Sequence, residues 1–353
     1  MKESGITTGV IAIIVIAVII VAGISAYVVT RPEELPPGEE EEEEEEERLK
    51  VAFVLAGTLT DASWNAGMYK AAYEVAAELD LDIAVSEGVG YVNPDAYFID
   101  YATKGYKIIF GHTLAYSDSM QKVAEDFPDV WFIHCNTIPE TVGGNVASYS
   151  VFRMDQGAYL AGIVAGGITK TNKIGAVSGL EVPHIKYLEF YAFAEGARSV
   201  NPNIQFVDVY TGSWIDLTRG RETAITMIEE GVDVILSHGD GLTLGVIQAG
   251  SMYSDVYVIG YVSDQNPLAS DTIITSNIFD FKVPVRNLIT KYIEGTLEGK
   301  IYEYGMEDNA VYLAPFYGLE EVVPENIKTF IEEVEENIRL DIFEVPHSPE
   351  WPY

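Results

Sequence analysis

The stretch Lys50–Asn65, KVAFVLAGTLTDASWN, decides the fold of this chain. Its first seven residues are almost all apolar, which is typical of a short strand buried on both faces. Gly57 ends the run, and turn and helix-capping residues follow it up to Ser63. Apolar residues then recur at three- and four-residue steps from Met68 to Leu79, which predicts a helix. The stretch therefore opens an α/β unit.

The end of this stretch is the first candidate for a binding surface. In open α/β sheets, ligands bind beyond the carboxyl ends of the strands. Trp64 and Asn65 fall at that position, where an indole ring beside a polar side chain offers a stacking surface for a flat ligand. The alternative is that Trp64 is a hydrophobic lid that packs on neighbouring loops.

Length and charge limit the classes of protein. A chain of 353 residues with 48% hydrophobic residues suits two domains with full cores. Its formal net charge of −34 excludes nucleic acid as a partner, because the phosphates would be repelled. The single cysteine, Cys135, excludes an internal disulfide framework. It lies in FIHCN at a predicted strand end, which favours a buried, unreactive thiol over a nucleophile.

The N-terminal segment predicts a membrane attachment. Residues 9–29 contain no charged residue and are long enough to cross a bilayer as a helix, so we predict a transmembrane anchor at 1–30. A cleaved signal peptide is the alternative. Residues 31–48 hold three prolines and nine consecutive glutamates, Glu39–Glu47, which predicts an extended, disordered linker. We expect the acidic body to lie on the extracellular side of the membrane.

From Lys50 onward, strand and helix patterns alternate in two similar series. The predicted fold class is α/β, with two similar lobes, each a mostly parallel sheet flanked by helices, and a ligand cleft between them. We assign 49–160 to lobe 1 and 161–279 to lobe 2, and we expect a C-terminal return to lobe 1 at about 280–353. The helix predicted at 155–168 is rich in small residues, which suits close packing.

Signals for catalysis are missing from the sequence. There is no G-x-S-x-G nucleophile elbow and no H-E-x-x-H zinc motif. The segment 162–171 approaches a phosphate-binding loop, but its lysine comes two residues late and it lies inside a helix pattern. The five histidines are scattered singly. We therefore expect no enzymatic activity, no metal and no cofactor.

Polar and aromatic residues recur after the predicted strands. Two of the four tryptophans belong to this set, one in each lobe, and each has an aspartate close by. This pattern predicts a cleft in which rings from opposite lobes clamp a planar ligand while carboxylates bond to its edge. For single residues, helix capping is the alternative interpretation. The candidate ligand-binding residues are Asp61, Ser63, Trp64, Asn65, His112, Trp214, Asp240 and Asp264.

Several motifs resemble one known family, the basic membrane protein family of solute-binding proteins that serve ABC importers. The motifs are TDASWN at 60–65, RMDQGAYLAGIVAG at 153–166, TKTNKIGAVSG at 169–179, GARSVNP at 196–202, GSWID at 212–216 and IGYVSDQ at 259–265. The resemblance spans residues 50–319. It implies the type I periplasmic-binding-protein fold, an ABC permease as partner, and a purine nucleoside or purine base bound between the lobes.

The resemblance assigns roles to particular residues. Trp64 and Trp214 match the aromatic stacking positions of the two lobes, and Asn65 stands beside the first. Asp240 lies in the loop where purine-binding members carry a polar residue that bonds to the base. Asp264 matches the second acidic residue of the family's GVDxDQ motif.

Two departures from the family pattern bear on the ligand. Val262 replaces the first acid of that motif, and Phe279 replaces a lysine of nucleoside-binding members. Those two groups are expected to hold ribose hydroxyls. We therefore prefer a free purine base, such as adenine, hypoxanthine or guanine, over a nucleoside. A sugar-like ligand, since tryptophan also stacks on pyranose faces, and a tethered sensor for signalling are the other readings.

Overall fold

Two six-stranded sheets organise the chain, and each is built from alternating strands and helices. The computed structural model describes residues 48–135, 139–151 and 153–351. The predicted anchor at 1–30 and the acidic linker up to Glu47 lie outside the described residues. Among the helices that are described, none combines the length and the apolar character that a bilayer span requires.

Twelve strands are described, in the order of the chain. They are β1 Lys50–Val54, β2 Asp82–Ser86, β3 Ile108–Gly111, β4 Trp131–Cys135, β5 Val146–Tyr149, β6 Lys173–Ser178, β7 Gln205–Tyr210, β8 Val234–His238, β9 Tyr257–Val262, β10 Ile273–Phe279, β11 Ile301–Tyr302 and β12 Val311–Leu313.

The first sheet has the order β11-β5-β4-β3-β1-β2 and the second the order β12-β10-β9-β8-β6-β7. Every pairing is parallel except that of β12 with β10. Both faces of the sheets are covered, and the side chains of β1 from Val51 to Val54 are almost fully buried. This burial explains the continuous apolar run with which the first stretch begins. We call the body around the first sheet the first lobe and the body around the second sheet the second lobe.

The described part of the chain has nine α-helices, the last of which follows β12. They are α1 Trp64–Leu79, α2 Asp95–Thr103, α3 Ser117–Ala124, α4 Met154–Ile168, α5 Phe190–Val200, α6 Leu217–Glu229, α7 Gly241–Gly250, α8 Lys282–Ile293 and α9 Glu325–Arg339. One wide, π-helical turn, Ile185–Glu189, leads into α5.

The small residues of α4 let it pack closely on α5. A Cβ atom at Gly162 would lie 2.0 Å from the carbonyl oxygen of Phe193, and one at Gly196 would lie 2.0 Å from that of Tyr159. The two backbones are therefore in direct contact, and larger side chains at these positions would force the helices apart.

The C-terminal part of the chain is shared between the two sheets. We expected the segment at about 280–353 to return to the first lobe, and β11 does pair with β5 of the first sheet. In contrast, β12 pairs with β10 at the edge of the second sheet. The chain therefore passes between the sheets three times, after β5, after β10 and after β11.

Candidate functional site

A cavity of about 450 Å³ lies where the carboxyl ends of the two sheets face each other. Its volume falls within the range typical of small-molecule sites. Both lobes line it with aromatic side chains. The residues that carry its chemistry are Trp64, Tyr91, His112 and Cys135 from the first lobe, and His184, Trp214, His238, Asp240 and Tyr261 from the second lobe.

Trp64 is the first residue of α1, and its ring is fixed in place by His112. The two rings stack with centroids 4.5 Å apart and planes 14° apart. Phe281 stands nearly perpendicular to both rings, at 5.1 Å from Trp64 and 4.7 Å from His112, so it lies beside the stack. The Trp64 indole N–H donates to the carbonyl oxygen of His112 at 3.1 Å. Trp64 therefore presents a ring face to the cavity, and its N–H is already bonded.

His112 is fully buried, and its hydrogen bonds define its tautomer. Its Nε2 lies 3.0 Å from the carbonyl oxygen of Trp64, which can only accept, so Nε2 carries the proton. Its Nδ1 lies 2.6 Å from the Tyr149 hydroxyl and accepts from it. Burial lowers the pKa of His112 to about 3, which keeps the ring neutral. His112 thus supports Trp64 with both of its nitrogens engaged.

Trp214 stands on the opposite wall, in the loop after β7. Its ring lies over Gly179, where a Cβ atom would come within 2.4 Å of the indole. Its carbonyl oxygen accepts from the backbone N–H groups of Asp240 and Leu242, at 3.0 and 3.1 Å. These bonds tie the Trp214 loop to the start of α7. The tryptophan is therefore held against the loop that carries Asp240.

Asp240 is the polar group of this wall with the most unusual environment. It is the N-cap residue of α7, yet its carboxyl group makes no capping hydrogen bond. It lines the cavity and is buried. Burial, and then the negative charge of Asp61, raises its pKa to about 7. Near neutral pH the group can either accept or donate a hydrogen bond.

A histidine of this wall, His238, lies against a buried glutamate, Glu189. His238, the last residue of β8, stacks on Tyr261 with ring centroids 3.9 Å apart. Its Nδ1 lies 3.0 Å from a carboxylate oxygen of Glu189, and both side chains are only 5% exposed. His184 also lines the cavity, and burial lowers its pKa to about 4, so it is neutral near pH 7.

Asp61, Ser63 and Asn65 are buried at the start of α1 and do not line this cavity. The Asp61 carboxylate accepts from the backbone N–H groups of Ser63, Asn65 and Ala66 and from the Asn65 amide, at 2.7 to 3.1 Å. The Asn65 side-chain oxygen accepts from Gly57 N–H at 3.1 Å. These groups cap the helix that begins at Trp64 and fix its first turn.

Asp264 is exposed and lies at a second cavity, behind the first, between α1 and the ends of β9 and β10. Its carboxylate accepts from the Tyr317 hydroxyl and from Asn266 N–H. The neighbouring Gln265 is buried instead. It accepts from Tyr261 N–H and donates to the carbonyl oxygen of Ala62, both at 3.1 Å, and so joins the two lobes.

The cavity includes residues that we did not predict from the sequence. Tyr91, Leu180 and His184 line it from loops after β2 and β6. Both loops follow strands, so the strand-end rule that led to Trp64 would have found them. Tyr261 lies inside β9, and its apolar surroundings gave no signal.

The residues that line the cavity disfavour anionic ligands, metal binding and thiolate chemistry. None of the described residues of the cavity wall is a lysine or an arginine, so an anionic group has no counter-charge there. In the described part of the chain, no group of His, Cys, Asp and Glu side chains has an arrangement suited to a metal ion. Burial raises the pKa of the Cys135 thiol to about 12, so this wall carries no thiolate near neutral pH.

Comparison with known proteins places the chain in a family. A purine-binding protein of Brucella abortus is 28% identical over 298 residues, which cover 83% of this chain and 81% of the relative. A putative ABC transporter glucose-binding protein of Haloferax volcanii is 30% identical over 73% of this chain and 65% of its own length.

The crystal structure of a transcriptional activator of the comK gene from Bacillus halodurans is also similar. It has a TM-score of 0.70 and 26% identity, and the alignment covers 84% of this chain and all of that one. Residues 48–348 match the family model described as the PnrA-like ABC transporter substrate-binding protein. The chain therefore belongs to the Bmp family of ABC transporter substrate-binding proteins, as its sequence motifs indicated.

Proposed function

We propose that this chain is the membrane-tethered, extracellular solute-binding component of an ABC importer, and that it binds a purine base between its lobes. The observation that carries the proposal is the cavity itself. Trp64 and Trp214 line it from opposite lobes, and the buried carboxyl group of Asp240 stands beside Trp214. The similarity to a purine-binding protein supports the same ligand class.

Stacking on the tryptophans supplies most of the proposed affinity. A base stacked on an aromatic ring gains about 1–3 kcal/mol. His112 covers one face of Trp64, which leaves the other face for the ligand. Both rings contact the same ligand only when the lobes are closed on it, so ligand binding favours the closed arrangement.

Asp240 supplies specificity for the edge of the base. As a carboxylate it accepts from ring N–H or exocyclic amino groups, and as an acid it donates to a ring nitrogen or a carbonyl oxygen. Because none of the described residues of the wall is a lysine or an arginine, phosphorylated and carboxylated ligands are disfavoured. The ligand class is therefore a neutral, planar heterocycle with donors and acceptors along one edge.

The environment of Val262 and Phe279 favours a free base over a nucleoside. These residues replace the family groups that are expected to hold ribose hydroxyls. Both are buried, at 2% and 1% exposure, both carry only apolar side-chain atoms, and both line the second cavity and not the first. They contribute no hydrogen bond to a ribose. A purine nucleoside remains the alternative ligand, with other polar groups holding its sugar.

The attachment to the membrane is part of the proposal. Residues 1–30 serve as the anchor, and residues 31–48 serve as an acidic linker between the anchor and the first lobe in the sequence. The ABC permease is then the partner. A tethered ligand sensor is a second candidate function, favoured by the similarity to a transcriptional activator. A direct contact with DNA does not fit a net charge of −34.

Thermal unfolding with a panel of ligands tests the proposal. Residues 48–353 are suited to this experiment because they form one compact unit and because the alignment with the activator covers that entire crystallised chain. A ligand that binds only the folded state raises the unfolding midpoint. We expect shifts with adenine, hypoxanthine or guanine that exceed those with nucleosides. A shift with sugars alone would overturn the purine assignment.

A further inference from the structure

Glu189 and His238 form a buried pair of titratable groups that the proposed function does not yet use. Glu189 ends the wide π-helical turn before α5, a kind of distortion that is frequent at functional sites. Its carboxylate oxygen lies 3.0 Å from Nδ1 of His238. The geometry of this contact is not that of a hydrogen bond, so Nδ1 of His238 and the second oxygen of Glu189 are both buried without a hydrogen-bond partner in the described part of the chain.

The short distance requires that one of the two atoms carries a proton. An ionised carboxylate oxygen and an unprotonated ring nitrogen at 3.0 Å would place two lone pairs against each other. An ionised carboxylate oxygen can only accept a hydrogen bond, so the proton belongs on Nδ1 of His238. Both side chains are only 5% exposed, so solvent has little access to the contact.

The other groups around His238 do not compete for Nδ1. Tyr261 stacks on the face of the ring, and the edge of Phe190 approaches it from α5. His184 and Asp240 are the titratable neighbours from the cavity side. Behind Glu189 lie Asp155 and Arg153, and Glu303 adds a further negative charge near Asp155. Nδ1 faces Glu189, so Nε2 is the nitrogen left for the cavity.

We propose that Glu189 is a positioning residue for ligand recognition, which keeps a proton on Nδ1 of His238 and so presents Nε2 to the ligand. In the neutral ring, Nε2 is then an acceptor for an N–H group of the ligand. Next to it, Asp240 is the second group that bonds to the ligand's edge. The ligand part of this inference rests on the proposed function, whereas the state of the histidine does not.

The tautomer of His238 can be measured without any ligand. Nitrogen-15 NMR of residues 48–353, at a pH where the ring is neutral, distinguishes protonation at Nδ1 from protonation at Nε2, and His238→Gln assigns the signal. We expect the Nδ1–H form in the wild type and in Glu189→Gln, because the amide oxygen still accepts. We expect the Nε2–H form in Glu189→Leu. Asp233→Asn, which changes a buried carboxylate bonded to Thr169, Lys170 and Thr171, is the control and leaves the signal unchanged.

An Nε2–H form in the wild type, or an unchanged signal in a folded Glu189→Leu protein, would overturn the inference. If Glu189→Leu does not fold, the wild-type signal decides the question alone. Calorimetric titration with the purine base tests the part of the inference that concerns the ligand. We expect about tenfold weaker binding in Glu189→Leu and less than about threefold in Glu189→Gln, the effect of one hydrogen bond. If no purine binds the wild type, the proposed function fails while the NMR result still stands.

Discussion

Trp64 and His112 hold each other in place: their rings stack 4.5 Å apart, and each side chain bonds to the backbone of the other residue. The indole N–H donates to the His112 carbonyl oxygen, and the imidazole Nε2–H donates to that of Trp64. The flat surface that Trp64 offers to a ligand is therefore fixed before the ligand arrives, which lowers the entropy cost of binding.

Replacing His112 by leucine tests this support. His112→Leu leaves the Trp64 carbonyl and the Tyr149 hydroxyl without their partner, so we expect the free energy of unfolding to fall by about 2–4 kcal/mol. Ligand affinity should fall about tenfold because Trp64 loses its fixed position. Denaturant unfolding and calorimetry measure the two effects. His134→Leu is the matched control, since His134 is equally buried but lies outside the cavity wall. Equal losses of affinity in both variants would contradict the assigned role.

The buried carboxyl group of Asp240 should make the free energy of unfolding depend on pH. Its pKa in the folded protein is about 7, above the ordinary value of 3.8, so the folded state binds this proton more tightly than the unfolded state. The stabilising contribution is complete below pH 3.8 and is lost as the pH rises to about 7. Asp240→Asn should therefore be more stable than the wild type at pH 8, by about 4 kcal/mol, and nearly equally stable at pH 4.

Denaturant unfolding of both proteins at pH 4 and pH 8 gives this difference directly. Burial also raises the pKa of Asp155 to about 7. Because Asp155 is present in both proteins, its contribution to the stability difference cancels. A stability difference that is the same at the two pH values would mean that the carboxyl group of Asp240 is not buried as described.

The hydrogen bonds of Gln265 between the two lobes should contribute to the stability of the protein. Its buried amide links Tyr261 of β9 to Ala62 of the first lobe. Gln265→Leu removes both bonds and leaves two buried backbone groups unpaired, so the free energy of unfolding should fall by about 1–3 kcal/mol. Gln121→Leu, at an exposed glutamine bonded to the Glu140 carbonyl oxygen, should change it by less than about 0.5 kcal/mol. Similar effects of the two changes would argue against the link.

Two aspartates that the sequence placed in one site should behave differently. Asp61→Ala removes the carboxylate that holds the first turn of α1, and we expect a loss of about 2–4 kcal/mol in the free energy of unfolding. Asp264→Ala changes an exposed group and should cost less than about 1 kcal/mol. Thermal unfolding of both variants without ligand measures the contrast, and a stable Asp61→Ala protein would contradict the capping role.

The sequence predicted the architecture well because alternating buried strands and amphipathic helices leave a clear pattern. The strands at Lys50 and Ile108 and the loops that carry Trp64 and Trp214 lie where periodicity and strand ends placed them. Two elements were not predicted: β11 has only two residues, and α9, although clearly amphipathic, lies beyond the repeating part of the chain.

Roles within one loop could not be separated from the sequence. Asp61 and Trp64 are three residues apart, yet one caps a helix inside the protein and the other faces the cavity. The direction of a side chain in a loop depends on backbone angles such as the positive φ of Ala62, which a residue pattern does not reveal. The same holds for Asp264, which lines the second cavity and not the first.

Calorimetric titration of a purine base into residues 48–353 tests the central claim most directly. We expect binding in the wild type and affinity losses of about tenfold to a hundredfold in both Trp64→Ala and Trp214→Ala, the equivalent of about 1–3 kcal/mol for each stacked ring. Trp131→Ala, at a half-buried tryptophan of β4 outside the cavity wall, should leave the affinity within about twofold. Unchanged affinity in either cavity variant, or an equal loss in the control, would contradict a ligand held between the two tryptophans.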